Sequence, residues 1–576
     1  MLVQVLLNAY KELQGTQRLC LIVLCLFVAL YKLVIYPFFI SPLRHVPGPY
    51  LHRISHIPSL NAQRKFRWIK RVHFLHQKYG DVVLLSPTAI SCNGDPKYIN
   101  DIYVKNMPKS KFYENFRNHG FKDNIFSELE NGKHLKYKKM VQGLYLKSSV
   151  FNPKNTTRDN IIDKVSQLIE QVHLSSVTGQ QPDVINAVLK LNEHGKGHIH
   201  GSGSWFKPFA KKSGLGIDVY SLFGSLAMDV VSAFELGIEN GSHLLLSPEN
   251  RLILVPHRMQ AGMVFWTTLM PRFWHWAAGP AVRAASREIE KWQLGLYDNA
   301  EKNVPEKVRD QNLTTLETLK KNGFYGPNAY SFLTDNIFAG HETTAIQLTY
   351  MCYELSRPVH REKQNRLRLE LRAAFGEPGA LGTNISNLEE VDRLPFLEAL
   401  MQENSRVHSS IPGGEPRVTN IRYDINIDGK KLSIPVGTGI SCQPYLMHRV
   451  AKIFPDAETW NPERWLQGPA ESLDQYSSRL REMQRYMMPF GKGIRMCLGM
   501  NVALIEMKMA LANLYWRFEL SLCTDWCQIT PSEASKDVKM GSEFAGSEFD
   551  ESMMTMVDSY TTRPYYDECW LEWKSV

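Results

Sequence analysis

Phe490-Gly491-Lys492-Gly493-Ile494-Arg495-Met496-Cys497-Leu498-Gly499 decides the reading of this 576-residue chain. Two glycines precede the cysteine and a third follows two residues later. Glycine reaches backbone conformations closed to other residues, so the segment can turn tightly and aim its N–H groups at the sulfur. Such N–H groups favour the thiolate, which is the nucleophilic and metal-ligating form. Asn501 to Trp516 then carries helical apolar spacing, which places the positive end of a helix dipole beside Cys497. A lone cysteine in a turn reads as a buried structural residue. The fixed spacing of Phe490, Gly493, Arg495 and Gly499 around this one argues against that.

The other cysteines add no rival chemistry. There are nine, odd in number and dispersed, so no disulfide framework is expected. Cys523 and Cys527 form the only close pair outside the N-terminal apolar run, and no second pair completes a zinc site. The formal net charge is +9, yet no stretch alternates Lys or Arg with aromatics, which excludes nucleic acid as a partner. The basic balance fits an anionic membrane surface or an acidic docking partner.

Leu19 to Leu30 reads LCLIVLCLFVAL, and Leu33 to Ile40 extends it past Lys32. About 20 apolar residues span a bilayer. No small-x-small cleavage site follows, so the segment reads as an N-terminal transmembrane helix and not as a cleaved signal. Arg44, Arg53, Arg64, Lys65, Arg67, Lys70 and Arg71 place the body in the cytosol by the positive-inside rule. Residues 1–45 are therefore expected to be anchor and flank, and 46–576 a catalytic domain. The sequons at Asn155, Asn240, Asn312 and Asn384 are then expected to stay unmodified. Val46-Pro47-Gly48-Pro49 is a stiff, non-helical linker.

The body reads as mainly α with small β-sheets. Helical spacing covers His73 to Tyr79, Ile161 to Val172 and Val219 to Phe234. Short strands are expected at Val82–Leu85, Ala89–Cys92, Ile425–Ile427 and Lys431–Ile434. A Gly-, Ser- and His-rich stretch from His194 to Gly216, overlapping an insertion at about 186–214, breaks the pattern, and its His194, His198 and His200 leave a metal cluster open. It lacks the preceding strand and the Gly-Lys-Ser/Thr of a phosphate loop, and reads as a surface insertion.

Ala339-Gly340-His341-Glu342-Thr343-Thr344 lies inside a helical stretch from Tyr330 to Leu355. Glycine within a helix costs about 1 kcal/mol relative to alanine. A cofactor approaching the backbone closely would explain it. Spacing i, i+3 and i+4 puts Ala339, Gly340 and Thr343 on one face. The run His341 to Ala345 nearly copies His-Glu-x-x-His, but Ala345 replaces the second histidine, so the zinc-protease reading fails. Glu403 and Arg406 stand at i, i+3, the spacing of a helical ion pair.

The pattern Phe-x-x-Gly-x-Arg-x-Cys-x-Gly resembles the haem-binding signature of cytochromes P-450 at every fixed position. Ala339 to Thr344 resembles that family's oxygen-activating helix, Glu403 to Arg406 its Glu-x-x-Arg helix, and Asn461-Pro462-Glu463-Arg464-Trp465 its Pro-Glu-Arg segment. The resemblance implies a cytochrome P-450 fold behind one transmembrane helix, with Cys497 as axial ligand of haem b (iron protoporphyrin IX). It implies that Phe490 packs near the thiolate and that Gly491, Gly493 and Gly499 shape the loop. Arg495 and Arg417 would meet haem propionates. His134 and Lys138 stand where the family often has Trp-x-x-x-Arg, and lysine is a point charge without arginine's fork. Ala339 and Gly340 would lie over haem, Thr343 would bond the oxygen, and Glu342 would relay protons. Glu403, Arg406 and Arg464 would form a buried structural network.

By the same resemblance O2 is co-substrate, and NADPH supplies electrons through NADPH–cytochrome P-450 reductase, with cytochrome b5 a second partner. Arg485, Lys492, Lys136 and Lys139 would face the reductase. The location implied is the endoplasmic reticulum membrane, single-pass, with the body cytosolic. The sequence resembles filamentous-fungal enzymes of specialised metabolism, which implies monooxygenation of a lipophilic terpenoid, polyketide or peptide-derived molecule. Its contacts would come from Phe112 to Phe126, Tyr330 to Phe338, Ser409 to Gly414 and the segment around Thr561. Two alternatives stay open. One is a haem-thiolate isomerase or dehydratase that uses neither O2 nor NADPH. The other is a non-enzymatic membrane haem binder.

Overall fold

The computed structural model describes residues 15–120, 122–178, 216–247, 250–260, 276, 279–304, 313–380, 382–427, 429–530, 540–541 and 548–576. The expected insertion at about 186–214 and Phe121 lie outside the described residues.

The apolar N-terminus forms helix α1 (Gly15–Leu30), continued to Ile40 by a wider π-type helix. Together they give 26 residues, buried against the body only at Pro37, a candidate membrane anchor. Helix α2 (Trp68–Tyr79) starts earlier than the spacing predicts and ends at Gly80 (φ +89°). Strands β1 (Val82–Ser86) and β2 (Ala89–Cys92) follow. Next come α3 (Asn131–Val141), α4 (Thr156–Thr178), the short strand β3 (Gly216–Asp218) and α5 (Val219–Leu236). Then α6 (Leu254–Gln260), α7 (Pro280–Asn303), α8 (Thr315–Lys321) and the 30-residue α9 (Pro327–Ser356) build the central helical layer.

The C-terminal half contributes α10 (Arg361–Phe375), α11 (Pro395–Val407), β4 (Arg417–Val418), β5 (Tyr423–Ile427), β6 (Lys430–Ile434) and β7 (Gly439–Ser441). After them lie α12 (Leu473–Tyr486), α13 (Met500–Arg517), β8 (Phe518–Leu522) and β9 (Trp570–Ser575). One sheet runs β1-β2-β7-β4, with β2 and β7 parallel (Ala89 opposite Gly439) and the other pairs antiparallel. A second runs β3-β9-β8, and β5 and β6 form a hairpin.

Helix α5 is apolar enough to cross a bilayer, but it is buried on almost every face. It belongs to the core and packs along α9, α4 and α8. Glycine makes that crossing close. A Cβ on Gly340 would stand 2.7 Å from Val231 Cγ2 of α5. Packing against α5 is a reason for this glycine independent of any cofactor. Gly340 sits 100° around the helix from Ala339 and faces α5. Gly340→Ala is expected to lower the holoenzyme's stability by about 1 kcal/mol, as overpacking outweighs helix propensity. Val231→Ala in the same chain is expected to restore it. Thermal midpoints of the two variants check this.

Candidate functional site

The cysteine loop is built as its glycines require. Gly491 and Gly493 have φ of +68° and +71°. A Cβ on Gly493 would come within 2.2 Å of the Tyr103 carbonyl oxygen, so no other residue fits there. Cys497 N–H donates to Phe490 O (2.8 Å), and Ile494 N–H to Asn106 Oδ1 (3.2 Å). One backbone N–H, that of Gly499, favours the thiolate, and Lys138 helps. Burial nevertheless wins and pushes the thiol above its ordinary value. The loop by itself therefore does not hold sulfur deprotonated, as its glycines led us to expect. That falls to a bound cation.

Two observations bear on what this loop can hold. Cys497 lies deep in the molecule, yet its side chain is exposed to solvent space. Ala339, midway along the largely buried α9, is exposed too, and Thr343 one turn on is half-buried. Asp335, one turn before Ala339, contributes to the electrostatic field at Cys497. The helix and the sulfur thus flank one interior hollow. Its rim is cationic. Lys109, His134, Lys138, Arg417 and Arg495 crowd together, and burial with that crowding pushes His134 down to about 3. Burial and Arg417 lower Arg495 to about 10. His134 Nδ1 is buried without a partner among the described residues. A cysteine sulfur, a soft donor once deprotonated, beside the basic side chains Lys109, Lys138, Arg417 and Arg495 fits an iron porphyrin with two carboxylates.

The predicted rim residues are brought together, but their present partners differ from those expected. Arg495 donates to Glu128 O (2.6 Å), Leu129 O (3.0 Å) and Asn131 Oδ1 (2.9 Å). Lys138 Nζ donates to Ile494 O (2.9 Å), tying α3 to the cysteine loop. Arg417 donates to Tyr113 OH (2.9 Å) and to Glu415 Oε2 (3.3 Å). The half-buried Phe490 stands at the head of the loop.

On α9 the Thr343 hydroxyl donates to Ala339 O (2.8 Å). Burial pushes Glu342 up to about 7, with Asp567 adding to the rise and Arg563 and Arg258 opposing it. A carboxyl with that value exchanges protons readily near neutral pH.

Glu403, Arg406 and Arg464 meet in the interior. Arg406 Nε and Nη2 donate to Glu403 at 2.9 and 2.8 Å, Arg464 Nε at 3.0 Å and Trp465 Nε1 at 2.9 Å.

Several residues escaped sequence reasoning. Lys109 is buried, donates to Phe126 O (2.6 Å) and lies 4.1 and 4.0 Å from the rings of Tyr113 and Phe126. Nothing in its sequence context marks it. Asp335, which burial pushes up to about 7, had a signal, since it stands at i−4 from Ala339. Tyr560 joins Phe112 (5.4 Å) and Phe116 (5.5 Å) in an aromatic cluster with Phe126.

The family model described as Cytochrome P450 matches residues 204–542. A cytochrome P450 monooxygenase of Aspergillus flavus is 26% identical over 525 residues, covering 87% of this chain and 91% of that protein. One of Gibberella zeae is 25% identical over 489 residues, covering 82% and 86%. One of Stereocaulon alpinum is 23% identical over 519 residues, covering 86% and 88%.

Proposed function

The chain belongs to the cytochrome P450 family, and from that premise we propose that it is an anchored monooxygenase of fungal specialised metabolism, with Cys497 as the axial ligand of haem iron. Family membership carries haem b, O2, a redox partner and a small-molecule substrate. The observation that supports the residue assignment is the exposed Cys497 sulfur within the electrostatic field of Asp335, one turn before the exposed Ala339 of α9. When bound, haem supplies the redox centre at which one atom of dioxygen enters the substrate.

The chain's own residues do the rest. Arg417, Arg495 and Lys138, joined by Lys109, would neutralise the propionates and orient the ring, with His134 a neutral hydrogen-bonding neighbour. The Thr343 hydroxyl, which donates to Ala339 O, would be free to turn towards substrate oxygen, and Glu342 would hold and pass on a proton beside it. Phe112, Phe116, Phe126 and Tyr560 form an apolar wall that excludes water and suits a lipophilic substrate, a terpenoid, polyketide or peptide-derived molecule. Ser409 to Gly414 and the segment around Thr561 complete the wall. Residues 1–45 hold the body, residues 46–576, at the cytosolic face of the endoplasmic reticulum.

Two measurements test this. The carbon-monoxide difference spectrum of the reduced protein reads the thiolate, and a non-thiolate spectrum overturns the ligand assignment. Comparing extracted metabolites of strains with and without the gene names the substrate, and identical profiles overturn the metabolic role.

Electrons are assigned to NADPH through a flavoprotein reductase, with cytochrome b5 as a second donor. Lys136 and Lys139 are exposed on α3, the helix that Lys138 ties to the cysteine loop, and Arg485 and Lys492 extend the basic surface. Lys136→Glu with Lys139→Glu is expected to slow reductase-driven reduction about tenfold at low salt, with the deficit shrinking as salt rises. Stopped-flow reduction rates equal to the parent's would remove this face from the docking surface.

A further inference from the structure

Behind Glu342 the interior holds donors that have no acceptor among the described residues. Arg563 is fully buried; its Nε lies 2.7 Å from the Asp567 carboxylate, and neither terminal nitrogen has a partner. Arg258 of α6 donates through Nη2 to Ser221 Oγ (2.6 Å) and lies 4.7 Å over the Tyr220 ring, while its Nη1 has no partner. The His257 and His341 rings are 5.1 Å apart, and both nitrogens of His257 and Nδ1 of His341 are buried and unpartnered. Buried donors are rarely left so, and a cluster of them marks a place where an acceptor comes and goes.

Glu342 is an acid whose charge acts on this cluster. A two-bond chain fixes the C-terminal loop against α9 at this level. Thr562 N–H donates to Ser410 O (2.9 Å), and Ser410 Oγ donates to Thr343 O (3.0 Å). Arg563 is one residue from the first bond and Glu342 one residue from the last. The charges of Arg563 and Glu342 act on each other, and each acts on Tyr220.

We propose that Arg563 is a positioning residue for Glu342, the counter-ion to which the carboxylate turns once it has given up its proton. This rests on the reading of Glu342 as proton carrier. The O–H bond of the carboxyl breaks, its proton passes towards Thr343, and the carboxylate takes the free Arg563 nitrogens. Reprotonation from solvent water releases it again. The charged and titratable groups facing this niche are Arg563 and Asp567 of the C-terminal loop, Arg258 and His257 of α6, Tyr220 of α5 and His341 of α9.

The signs follow from the charges. A cation favours the ionised carboxyl, so removing Arg563 raises the pH at which Glu342 titrates. Removing Asp567 takes away a repelling anion and frees Arg563, so it lowers that pH. The test is an infrared titration of the Glu342 carboxyl band in the holoenzyme, identified by subtracting Glu342→Gln. Arg563→Gln is expected to move the midpoint up by about one pH unit and Asp567→Asn to move it down, with Arg563→Lys close to the parent. Midpoints unmoved in both overturn the proposal. Should Arg563→Gln fail to bind haem, Asp567→Asn decides alone, a downward shift supporting the proposal and none overturning it. Reductase-driven NADPH consumption is read on the same proteins. If Glu342→Gln consumes NADPH as fast as the parent, the proton-carrier reading fails and the proposal with it. If Glu342→Gln slows consumption and Arg563→Gln does not, that reading stands and the positioning role is overturned. If both slow it about tenfold or more, and the double variant no further, both stand.

Discussion

Cys497→Ser is expected to abolish turnover and the thiolate signature in the carbon-monoxide difference spectrum, while the chain still folds. Serine keeps the loop's shape, since the bonds that close it, Cys497 N–H to Phe490 O and Met496 N–H to Gly493 O, are backbone bonds. What it removes is the polarisable sulfur. A hydroxyl stays protonated beside iron where a thiol does not, and it donates too little electron density to promote O–O cleavage. Turnover should fall to background, with the thermal midpoint of the metal-free protein within a few degrees of the parent's. A serine variant with the parental spectrum and normal product formation would dismiss Cys497 as the ligand. The comparison is clean because burial already raises the Cys497 thiol in the metal-free chain. The substitution then exchanges one neutral group for another.

Glu403→Ala is expected to leave almost no folded holoenzyme. The carboxylate is fully buried and takes two bonds from Arg406, one each from Arg464 and Trp465, and one from Asn461 N–H (2.8 Å). Burial works to raise its pKa, but Arg406 and Arg464 outweigh it and hold the group below 4.5. Alanine leaves two guanidinium groups without their anion in the interior. Breaking a buried pair in this way costs about 3–5 kcal/mol, a large part of a stability of about 5–15 kcal/mol. Haem content and thermal midpoint of the purified variant check this, and a parental value of both would show the network to be dispensable. The sign of its pH dependence follows. The contribution is complete above the unfolded value of 4.5 and is lost as pH falls through the lower folded value.

Most local elements were readable from sequence because they rest on short-range chemistry. The turn around Cys497 needs left-handed backbone at Gly491 and Gly493, and only glycine takes it at no cost. The β5–β6 hairpin, the paired strands β1 and β2, and α13 directly after the cysteine follow from alternation and helical spacing. The Glu403–Arg406 pair is one helical turn. The N-terminal apolar run is a candidate span by its length and composition.

The environments of the reactive groups were settled by tertiary structure. Spacing placed Gly340 with Ala339 and Thr343, but a reason for its being glycine is Val231 on another helix. The same spacing named Glu342. Its partners Arg258, Arg563 and Asp567 come from α6 and from the C-terminal loop. Lys109 meets Arg417 through a bridge between distant segments. The sequence by itself determined which atoms are available for chemistry, since ligand, acid and hydroxyl are properties of single residues at fixed local spacing. Tertiary structure alone decided their protonation, because charge in a low-dielectric interior depends on whatever else the fold buries within a few ångströms.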